Sequence, residues 1–425
     1  MKLTITPAPL AGCIEAIASK SDAHRHLICA AFADAPTELV LATSSEDIDT
    51  TVGCLGALGA EIVRQYGTTL TCVRPIEQPT VGATLDCKES GSTLRFMLPV
   101  AAACSELVHF TGSGRLPERP LGELAEAMQK CGVEFSSCQL PLSTKGKLQS
   151  GSFYLPGNIS SQYITGLLLA LPLLEGNSTI VLTSPLESID YVNITLGVLK
   201  RYGIVVEQAK QGFKVPGSQR LESPGRVCIE GDWSNAAFFL AAGALATTST
   251  PPAAITMTGL SPQSPQGDRR VVDFLRQFGA KVSQDGQQVS VSAAPLRGCT
   301  IDIGETPDLM PVLAVVAANA QGETLFTNAA RLRLKESDRI TTTAALINSL
   351  GGRADELPDG LLVQGGGLTG GCVNSYQDHR IAMAAAIAAV ACTSPVTIEG
   401  AGAVAKSYPA FYSDYQKLGG IVDVV

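Results

Sequence analysis

The stretch that decides the fold is SKSDAHRHLICAAFA, residues 19–33, in which a short polar head runs directly into an apolar segment. Five further segments have the same design, and successive starts lie about 70 residues apart. In chain order they are ESGSTLRFMLPVAAA from Glu89, SSQYITGLLLALPLL from Ser160, DWSNAAFFLAAGALA from Asp232, PDLMPVLAVVAANA from Pro307 and DHRIAMAAAIAAVAC from Asp378. A regular spacing of this kind predicts an array of similar structural modules.

Each of these segments predicts a buried helix with a polar amino end. A helix that is apolar on all sides is stable only when other elements cover it. Its first four N–H groups nevertheless lack intrahelical partners, and its amino end carries partial positive charge. Six such ends therefore predict helix amino termini gathered around a cleft that binds anions.

Amphipathic segments alternate with the buried ones, and each of them closes on a glycine. These glycines are Gly59, Gly132, Gly203, Gly279, Gly351 and Gly419. Glycine just past the last turn is the usual left-handed cap of a helix. The β-like runs that follow include Val133–Phe135, Ile204–Glu207, Lys281–Ser283 and Ile421–Val425. The predicted module is a strand, a buried helix, a second strand, an amphipathic helix and two short strands.

Six such βαβαββ repeats predict an α/β protein of two lobes with three repeats in each. A chain of 425 residues also exceeds the roughly 250–300 residues at which a single core stops growing. We expect residues 18–230 to form the N-terminal lobe and residues 231–425 to form the C-terminal lobe. Residues 1–17 are expected to join the C-terminal lobe. The run Thr247–Pro252 is interpreted as a loop.

The composition argues against several classes of protein. The apolar runs Ile164–Leu174 and Ile381–Cys392 are shorter than the roughly 18–20 residues that span a bilayer, so no membrane segment is expected. Met1–Pro9 has no apolar core of a secretory signal, which favours a cytoplasmic protein. The net charge of −8 argues against a nucleic-acid surface. Twelve cysteines without a Cys-x-x-Cys pair favour reduced thiols over disulfides or a metal site.

Cations recur at or near the predicted helix heads, namely Lys20, Arg25, Arg95, Arg119, Lys335, Arg339, Arg380 and Lys406. Any one of them alone is better explained as ordinary solvated charge. Their recurrence at equivalent places predicts a site for one or two multiply charged oxyanions, because guanidinium groups bind phosphate and carboxylate in a bidentate manner. Ser21 and Arg25 are expected to share a helix face, and so are Lys335 and Arg339.

Few groups are candidates for proton transfer. Asp308 follows Pro307 at a helix head, and Glu336 lies between two cations. His379 could shuttle a proton or orient its neighbours, and the residues alone leave both roles open. Other acids at the starts of elements are expected to cap helices, and they are Asp47, Asp232 and Asp378. The chain contains no phosphate-binding P-loop, no dinucleotide fingerprint and no nucleophile elbow.

Taken together, these motifs resemble those of the 3-phosphoshikimate 1-carboxyvinyltransferase family, also called 5-enolpyruvylshikimate-3-phosphate synthases. The resemblance covers essentially the whole chain and rests on ten motifs in family order. They are SKSDAHR at 19–25, SGSTLR at 90–95, LPERP at 116–120, SSQ at 160–162, EGDWS at 230–234, QGD at 266–268, PD at 307–308, KESDR at 335–339, DHR at 378–380 and AKSYP at 405–409.

The resemblance implies a fold, a reaction and a place in metabolism. The implied fold is a two-lobed inside-out α/β barrel with the active site between its lobes. The implied reaction transfers the enolpyruvyl group of phosphoenolpyruvate to the 5-hydroxyl of shikimate 3-phosphate and releases phosphate through a tetrahedral ketal. This step belongs to the shikimate pathway of aromatic amino-acid biosynthesis. The family implies no metal and no organic cofactor, and we expect a cytoplasmic monomer.

The resemblance also assigns roles to residues of this chain. The implied shikimate 3-phosphate contacts are Lys20, Ser21, Arg25, Ser160, Ser161, Gln162, Ser188, Tyr191, Asp308 and Lys335. The implied phosphoenolpyruvate contacts are Lys20, Gly91, Arg119, Gln162, Arg339, Arg380 and Lys406. Lys20, Asp308 and Glu336 are the implied catalytic residues. In this scheme Asp308 accepts the proton of the 5-hydroxyl, and Glu336 protonates the methylene carbon of phosphoenolpyruvate.

The chain departs from the family pattern at several places. His24 stands where the family usually has Asn, Arg331 stands where an Asn often contacts substrate, and Gln377 stands where Asn commonly precedes Asp-His-Arg. Ile17-Ala18 replaces Pro-Gly before the first buried helix. We therefore leave Arg331 out of the expected site.

Two other interpretations are weaker. UDP-N-acetylglucosamine 1-carboxyvinyltransferases have Lys-Asn where this chain has Lys20-Ser21. They also carry a reactive Cys in the loop before an Arg-Pro pair, and residues 112–120 contain no Cys. A non-catalytic anion-binding protein would be favoured by the loss of Asp308 or Glu336, and both are present.

Overall fold

A computed structural model describes residues 1–65, 68–246 and 254–425 of the chain. The predicted loop at Thr247–Pro252 lies outside the described residues. The chain divides into two compact units, and each has its own hydrophobic core. The N-terminal unit is Ala18–Ile229, and the C-terminal unit is Met1–Ile17 together with Glu230–Val425. Within the described ranges, none of the helices combines the length and the apolar character needed to cross a membrane.

The described residues form α-helices that alternate between buried and amphipathic along the chain. They are α1 Lys20–Ala31, α2 Glu46–Leu58, α3 Gly91–Cys104, α4 Gly122–Gln129, α5 Ser161–Ala170, α6 Ile189–Arg201, α7 Trp233–Leu245, α8 Val271–Phe278, α9 Met310–Ala318, α10 Arg339–Ser349, α11 His379–Ala388 and α12 Phe411–Lys417. The odd-numbered helices are the six polar-headed segments of the sequence. Short 3-10 turns cover Leu116–Glu118, Leu171–Leu173, Gly267–Arg270, Pro307–Leu309, Ala330–Leu334 and Ala401–Lys406.

Short strands separate the helices. They are β1 Lys2–Thr6, β2 Gly12–Glu15, β3 Thr37–Val40, β4 Glu61–Arg64, β5 Leu70–Arg74, β6 Ala83–Asp86, β7 Leu107–Thr111, β8 Glu134–Phe135, β9 Leu142–Lys145, β10 Ser152–Leu155, β11 Ser178–Leu182, β12 Glu207–Ala209, β13 Gly212–Val215, β14 Arg226–Cys228, β15 Ala254–Thr258, β16 Lys281–Asp285, β17 Gln288–Ser292, β18 Thr300–Asp302, β19 Glu323–Thr327, β20 Arg353–Leu357, β21 Gly360–Gln364, β22 Gly371–Asn374, β23 Val396–Glu399 and β24 Ile421–Val424.

These strands form six four-stranded sheets with one common plan, three in each unit. In the N-terminal unit the orders are β14-β3-β5-β4, β6-β7-β9-β8 and β10-β11-β13-β12. In the C-terminal unit they are β16-β17-β15-β2, β18-β19-β21-β20 and β22-β23-β1-β24. Each sheet joins one parallel pair to two antiparallel pairs, as in β6 with β7, where Ala83 aligns with Val108. The predicted sixfold repeat and the α/β fold class are confirmed.

The predicted glycine caps are also confirmed. All six of these glycines have a positive φ, between 79° and 114°, which is the left-handed conformation that a side chain disfavours. The strand prediction was less accurate at Ile204–Glu207, where β12 begins only at Glu207.

Side chains cap most of the buried helices, which explains how polar heads can lie in an apolar core. Ser19, Ser90, Ser160, Asp232 and Asp378 each accept a hydrogen bond from a backbone N–H in the first turn of α1, α3, α5, α7 and α11 respectively. At α9 the 3-10 turn Pro307–Leu309 leads into the helix instead. Capping therefore satisfies part of the head of five of these helices and leaves other groups of the first turn for a ligand.

Two local expectations were wrong. Lys335 does not share a helix face with Arg339, because Lys335 has an extended backbone and α10 starts only at Arg339, capped by Asp338. Asp47 does not cap α2, because Ser45 accepts the hydrogen bond from Ile48 N and leaves the Asp47 carboxylate available for another partner.

Helices α3 and α5 pack closely through Gly166. A β-carbon at Gly166 would overlap the carbonyl oxygen of Arg95 and lie 3.0 Å from Cγ of Pro99. The absence of a side chain at Gly166 allows α3 and α5 to pack this closely. An added methyl group would push the two helices apart.

We predict that Gly166→Ala lowers the free energy of unfolding by about 1–3 kcal/mol, as overpacking of a core does. Gly197→Ala is the matched control, because Gly197 lies inside α6 with no atom within 4 Å of the position that an added methyl group would take. Alanine there should be neutral or stabilising by up to about 1 kcal/mol, following helix propensity. Urea unfolding of the three proteins measures both effects, and equal stability of Gly166→Ala and Gly197→Ala would contradict the packing argument.

Candidate active site

In the N-terminal unit the head of α1 presents Lys20 and Arg25. Lys20 Nζ donates to Asp47 Oδ2 over 2.9 Å, so the carboxylate expected to cap α2 instead holds this ammonium group. Arg25 is buried, and its guanidinium donates to Thr195 Oγ1 over 2.8 Å and to the carbonyl of Tyr191 over 2.9 Å. It also donates to the carbonyl of Ser21, which confirms the expected i, i+4 contact. Burial lowers the pKa of Arg25 to about 10, so the group remains a cation at neutral pH.

The heads of α3 and α5 meet at a second group of side chains. Arg95 Nη1 donates to Gln162 Oε1 over 3.3 Å, and Gln162 Nε2 donates to Ser92 Oγ over 2.9 Å. Arg95 Nη2 also donates to the carbonyl of Pro120 over 3.1 Å. A β-carbon at Gly91 would lie 2.6 Å from Arg95 Nη1 and 2.8 Å from Arg119 Cζ. A side chain at residue 91 would therefore displace these two guanidinium groups from the first turn of α3.

Serine side chains mark the heads of α5 and α6. Ser160 caps α5, and Ser161 is its first, buried residue. Ser188 precedes α6 with a φ of 54°, a left-handed conformation that is uncommon for a residue with a side chain. Strained backbone of this kind concentrates at binding and catalytic sites, and Ser188 is buried with Tyr191 one turn further along.

In the C-terminal unit a single buried arginine collects three carboxylates. Arg339 is 1% exposed and donates through Nη1 to Asp308 over 2.7 Å, through Nη2 to Glu336 over 2.7 Å and through Nε to Asp378 over 2.8 Å. Burial lowers the pKa of Arg339, but Asp378, Glu336 and Asp308 outweigh burial and hold the pKa well above its usual value. The arginine is therefore a fixed cation around which the acids of the site are arranged.

Asp308 is held in its ionised form by the cations around it. Its carboxylate lies 3.1 Å from Arg380 Nη2 and 3.6 Å from Lys335 Nζ, in addition to the contact with Arg339. Burial raises the pKa of Asp308, but Lys335, Arg380 and Arg339 together lower it well below its usual value. Burial also lowers the pKa of Lys335, against the attraction of Asp308. The carboxylate of Asp308 is therefore ionised at neutral pH.

Arg380 and Lys406 extend this cluster. Arg380 Nη1 donates to the carbonyl of Ser234 over 3.1 Å, and its guanidinium lies over the ring of Phe238 at 5.9 Å. Lys406 Nζ donates to the carbonyl of Gln377 over 2.6 Å. The predicted caps at Asp232 and Asp378 are confirmed, and Asp378 additionally orients Arg339.

The sequence motifs gave no role in the site to two residues that lie beside it, Arg95 and Asp268. Arg95 stands out as a cation but is not assigned to the site by the motifs, although it contacts Gln162 and adjoins Gly91. Asp268 is part of the QGD motif, which assigns it no role. Burial, reinforced by the negative charge of Asp308, raises its pKa to about 6. No spacing rule in the sequence brings residue 268 near residue 308, so the motif itself is the one signal that could have found it.

The structure does not change the interpretation of His379 and Arg331: the role of His379 stays open, and Arg331 stays outside the expected site. His379 is buried with Nδ1 3.8 Å from Asp378 Oδ1, and this contact fits an orienting role and a proton-shuttling role equally. Arg331 Nη2 donates to the carbonyl of Gly304 over 2.5 Å, so its guanidinium is partly occupied by the backbone.

The predicted site residues therefore fall into one group in each unit. The N-terminal group lies at the heads of α1, α3, α5 and α6 and just before α4, and it comprises Lys20, Ser21, Arg25, Gly91, Arg119, Ser160, Ser161, Gln162, Ser188 and Tyr191. The C-terminal group comprises Asp308, Lys335, Glu336, Arg339, Arg380 and Lys406. Contacts join Asp308, Lys335, Glu336, Arg339 and Arg380 directly.

Comparison with known proteins identifies the family of the chain. The family model "EPSP synthase (3-phosphoshikimate 1-carboxyvinyltransferase)" matches residues 5–414. The 3-phosphoshikimate 1-carboxyvinyltransferase of Clostridium novyi is 39% identical over 433 residues, covering 99% of this chain and 98% of that protein. The one from Clostridium acetobutylicum is 41% identical over 425 residues, covering 98% and 97%.

Solved structures share the fold. An EPSP synthase from Acinetobacter baumannii superposes with a TM-score of 0.82 at 24% identity, covering 100% of both chains. The enolpyruvyl transferase NikO from Streptomyces tendae gives a TM-score of 0.77 at 17% identity, covering 99% of this chain and 98% of that one.

Fold and sequence together define the class of the protein, a transferase with the fold of EPSP synthases. More particularly, the chain belongs to the EPSP synthase (3-phosphoshikimate 1-carboxyvinyltransferase) family. Its activity is that of a 3-phosphoshikimate 1-carboxyvinyltransferase, an enzyme of the shikimate pathway. The predicted family, reaction class and pathway are confirmed.

The electrostatics of Asp308 make a prediction about stability. A carboxylate with a depressed folded-state pKa contributes stability above its unfolded pKa, near 3.9, and loses it as the pH falls through the folded-state pKa. Asp308→Asn should therefore lower the free energy of unfolding by about 3 kcal/mol at neutral pH, since it leaves buried cations uncompensated. The difference from wild type should stay constant between about pH 5 and 8 and shrink only below about pH 4.

Urea unfolding as a function of pH checks this expectation. Asp355→Asn serves as the control, because Asp355 is an exposed acid paired with an exposed arginine, and it should change stability little at any pH. A wild-type advantage over Asp308→Asn that grew towards acid pH would contradict the assignment.

Proposed function

We propose that the two groups of residues bind shikimate 3-phosphate and phosphoenolpyruvate side by side and transfer the enolpyruvyl group from the second to the 5-hydroxyl of the first. The observation that carries this proposal is the ionised Asp308 beside Lys335, Arg339 and Arg380. A base held among cations suits a reaction between two anions, since the same cations offset the repulsion between the substrates.

Shikimate 3-phosphate is assigned chiefly to the N-terminal group. Arg25 and Ser21 contact its carboxylate and ring hydroxyls, while the serines at the heads of α5 and α6 and Lys335 contact the substrate, including its phosphate. Tyr191 lines the same pocket. The capped, polar head of the buried helix α5 supports this assignment, because its remaining N–H groups and dipole favour an anion.

Phosphoenolpyruvate is assigned to Gly91 and Arg119 and, from the other unit, to Arg339, Arg380 and Lys406. Lys20 and Gln162 contact both substrates. The close approach of Arg95 and Arg119 to Gly91 supports a small, strongly cationic site at the head of α3. Guanidinium groups match the geometry of both the carboxylate and the phosphate of this substrate.

The chemistry then proceeds in two stages. Glu336 takes part in its protonated form and donates that proton to the methylene carbon of phosphoenolpyruvate. The 5-hydroxyl oxygen then attacks the adjacent cation-like carbon, and Asp308 accepts the hydroxyl proton. In the second stage the tetrahedral ketal expels phosphate, which takes up the proton held by Asp308, while Glu336 takes a proton from the new methyl group and so restores the double bond. Holding both substrates in register makes the attack effectively unimolecular.

Phosphate release after mixing the protein with both substrates is the direct test. Release that requires both substrates is expected. Tight binding of shikimate 3-phosphate without phosphate release would favour a binding-only protein. The monomeric state, the cytoplasmic location and the absence of a cofactor remain predictions, and light scattering and turnover after chelation would test the first and the last.

Glu336→Gln should bind both substrates with affinities close to those of the wild type but lower turnover by about 10²–10⁴-fold, the range for a lost general acid. Phosphate-release rates and calorimetric titrations measure the two properties separately. Glu323→Gln, an exposed change on β19, is the control and should leave turnover unchanged. Near-normal turnover in Glu336→Gln would remove Glu336 from the proton-transfer role.

Gly91→Ala should raise the KM for phosphoenolpyruvate by about tenfold, because the added methyl group displaces the guanidinium groups of Arg95 and Arg119. The KM for shikimate 3-phosphate should change much less. Gly53→Ala in α2, where the methyl group meets no atom within 4 Å, is the matched control. A Gly91→Ala enzyme with unchanged kinetics for both substrates would place phosphoenolpyruvate elsewhere.

A further inference from the structure

A buried chain of hydrogen bonds joins three helices in the N-terminal unit. His24 Nδ1 lies 2.7 Å from Thr51 Oγ1, Thr51 Oγ1 lies 2.7 Å from Thr93 Oγ1, and Thr93 Oγ1 donates to Ser90 Oγ over 2.8 Å. All four side chains are at most 1% exposed. This relay, residues His24, Thr51, Thr93 and Ser90, thus runs from α1 through α2 to the cap of α3, beside Gly91.

The relay lies next to a second link between α1 and α2. Lys20 and His24 are four residues apart on α1, and their partners Asp47 and Thr51 are four residues apart on α2. Residues at this spacing share a helix face, so the two contacts lie one helical turn apart between the same two helices. The contact of His24 continues from Thr51 to Thr93 of α3.

The direction of the hydrogen bonds determines the form of the imidazole. A hydroxyl has one hydrogen, and that of Thr93 is given to Ser90, so Thr93 must accept from Thr51. Thr51 has then used its hydrogen, so it must accept from His24, which carries its hydrogen on Nδ1. Nε2 has no hydrogen-bond partner in the described part of the chain, which fits a lone pair there better than an N–H.

The surroundings of His24 favour the neutral ring. Burial, with Lys20 and Arg25 close by, lowers the pKa of His24 well below its ordinary value. The ring meets Phe96 of α3 edge to face at 6.2 Å, and the guanidinium of Arg25 lies 5.1 Å from the same Phe96 ring. His24 therefore fixes α3 in two ways, by the relay and through Phe96.

We propose that His24 is a positioning residue that holds the head of α3, with Gly91, in register with the head of α1, with Lys20 and Arg25. It acts through Thr51 and Thr93 and touches neither substrate. The proposal rests on the proposed function, which assigns Gly91 and Lys20 to phosphoenolpyruvate. It gives His24, the residue that replaces the usual Asn, the task of donating one hydrogen bond to Thr51.

Kinetics of matched variants test the proposal. His24→Leu removes the donor and Thr93→Val cuts the relay one step before its end, so each should raise the KM for phosphoenolpyruvate by about tenfold, the effect of one lost buried hydrogen bond. The KM for shikimate 3-phosphate should change by less than about threefold, since the lost contact lies away from α5 and α6. His24→Asn, which can donate from a shorter side chain, should restore most of the affinity for phosphoenolpyruvate.

Two further comparisons separate positioning from general destabilisation. Thr37→Val removes an equally buried hydroxyl that bonds Ser223 in the same unit, and it should lower stability without changing the KM for phosphoenolpyruvate. The double variant His24→Leu/Thr93→Val should be no worse than either single variant, because both cut the same relay. Unchanged KM values in folded His24→Leu and Thr93→Val, or a change of the same size in Thr37→Val, would overturn the proposal.

The tautomer gives a test that does not depend on catalysis. Imidazole ¹⁵N shifts of the labelled wild-type protein, assigned with His24→Asn, should show a neutral His24 with its hydrogen on Nδ1. A hydrogen on Nε2 would overturn the relay even if one of the variants failed to fold. Failure of the proposed function would look different, since wild-type protein would then release no phosphate, whereas failure of this proposal leaves wild-type turnover intact.

Discussion

The structure depends on one constraint, which is that an apolar helix must be buried while its amino end still needs partners for its N–H groups. In five of the six buried helices a serine or aspartate cap supplies part of that need. The rest of the first turn keeps its partial positive charge, and Lys or Arg follows within a few residues at α1, α3 and α11. The requirement for burial and the capacity to bind anions therefore arise from the same feature of the sequence.

Charge compensation is the second requirement, and each unit meets it differently. In the C-terminal unit Arg339 is surrounded by Asp308, Glu336 and Asp378, so a buried cation is neutralised by acids, two of which the proposed reaction also uses. In the N-terminal unit Arg25 is held by hydroxyl and carbonyl oxygens and by the face of Phe96. Neutral partners leave more of its positive charge for a ligand, which agrees with its assignment to a substrate carboxylate.

The sequence predicted the features that follow from local rules. The period of about 70 residues gave the six modules, and the glycines after each amphipathic helix gave the caps. The same rules failed where a motif lies outside a helix. Lys335 and Glu336 precede α10, so helical spacing could not predict their positions. The backbone between the Ala330–Leu334 turn and α10 places them beside Asp308 and Arg339. The relay was also invisible, because Thr51 and Thr93 look like ordinary helix residues until three helices are placed together.

The departure at Gln377 can be understood from the backbone. Tyr376 and Gln377 have φ values of 53° and 55°, in the left-handed region that Asn adopts more easily than most residues. Gln at this position therefore costs of the order of 1 kcal/mol in backbone strain relative to an easier residue. The contact made here with Lys406 uses the backbone carbonyl of Gln377, at 2.6 Å, so it does not depend on which side chain is present.

The same segment then leads into α11 through Asp378, whose carboxylate caps the helix and accepts a hydrogen bond from Arg339. Two positions of the cationic site, Lys406 and Arg339, are thus linked by one short segment of constrained backbone, through contacts that do not use the side chain of Gln377.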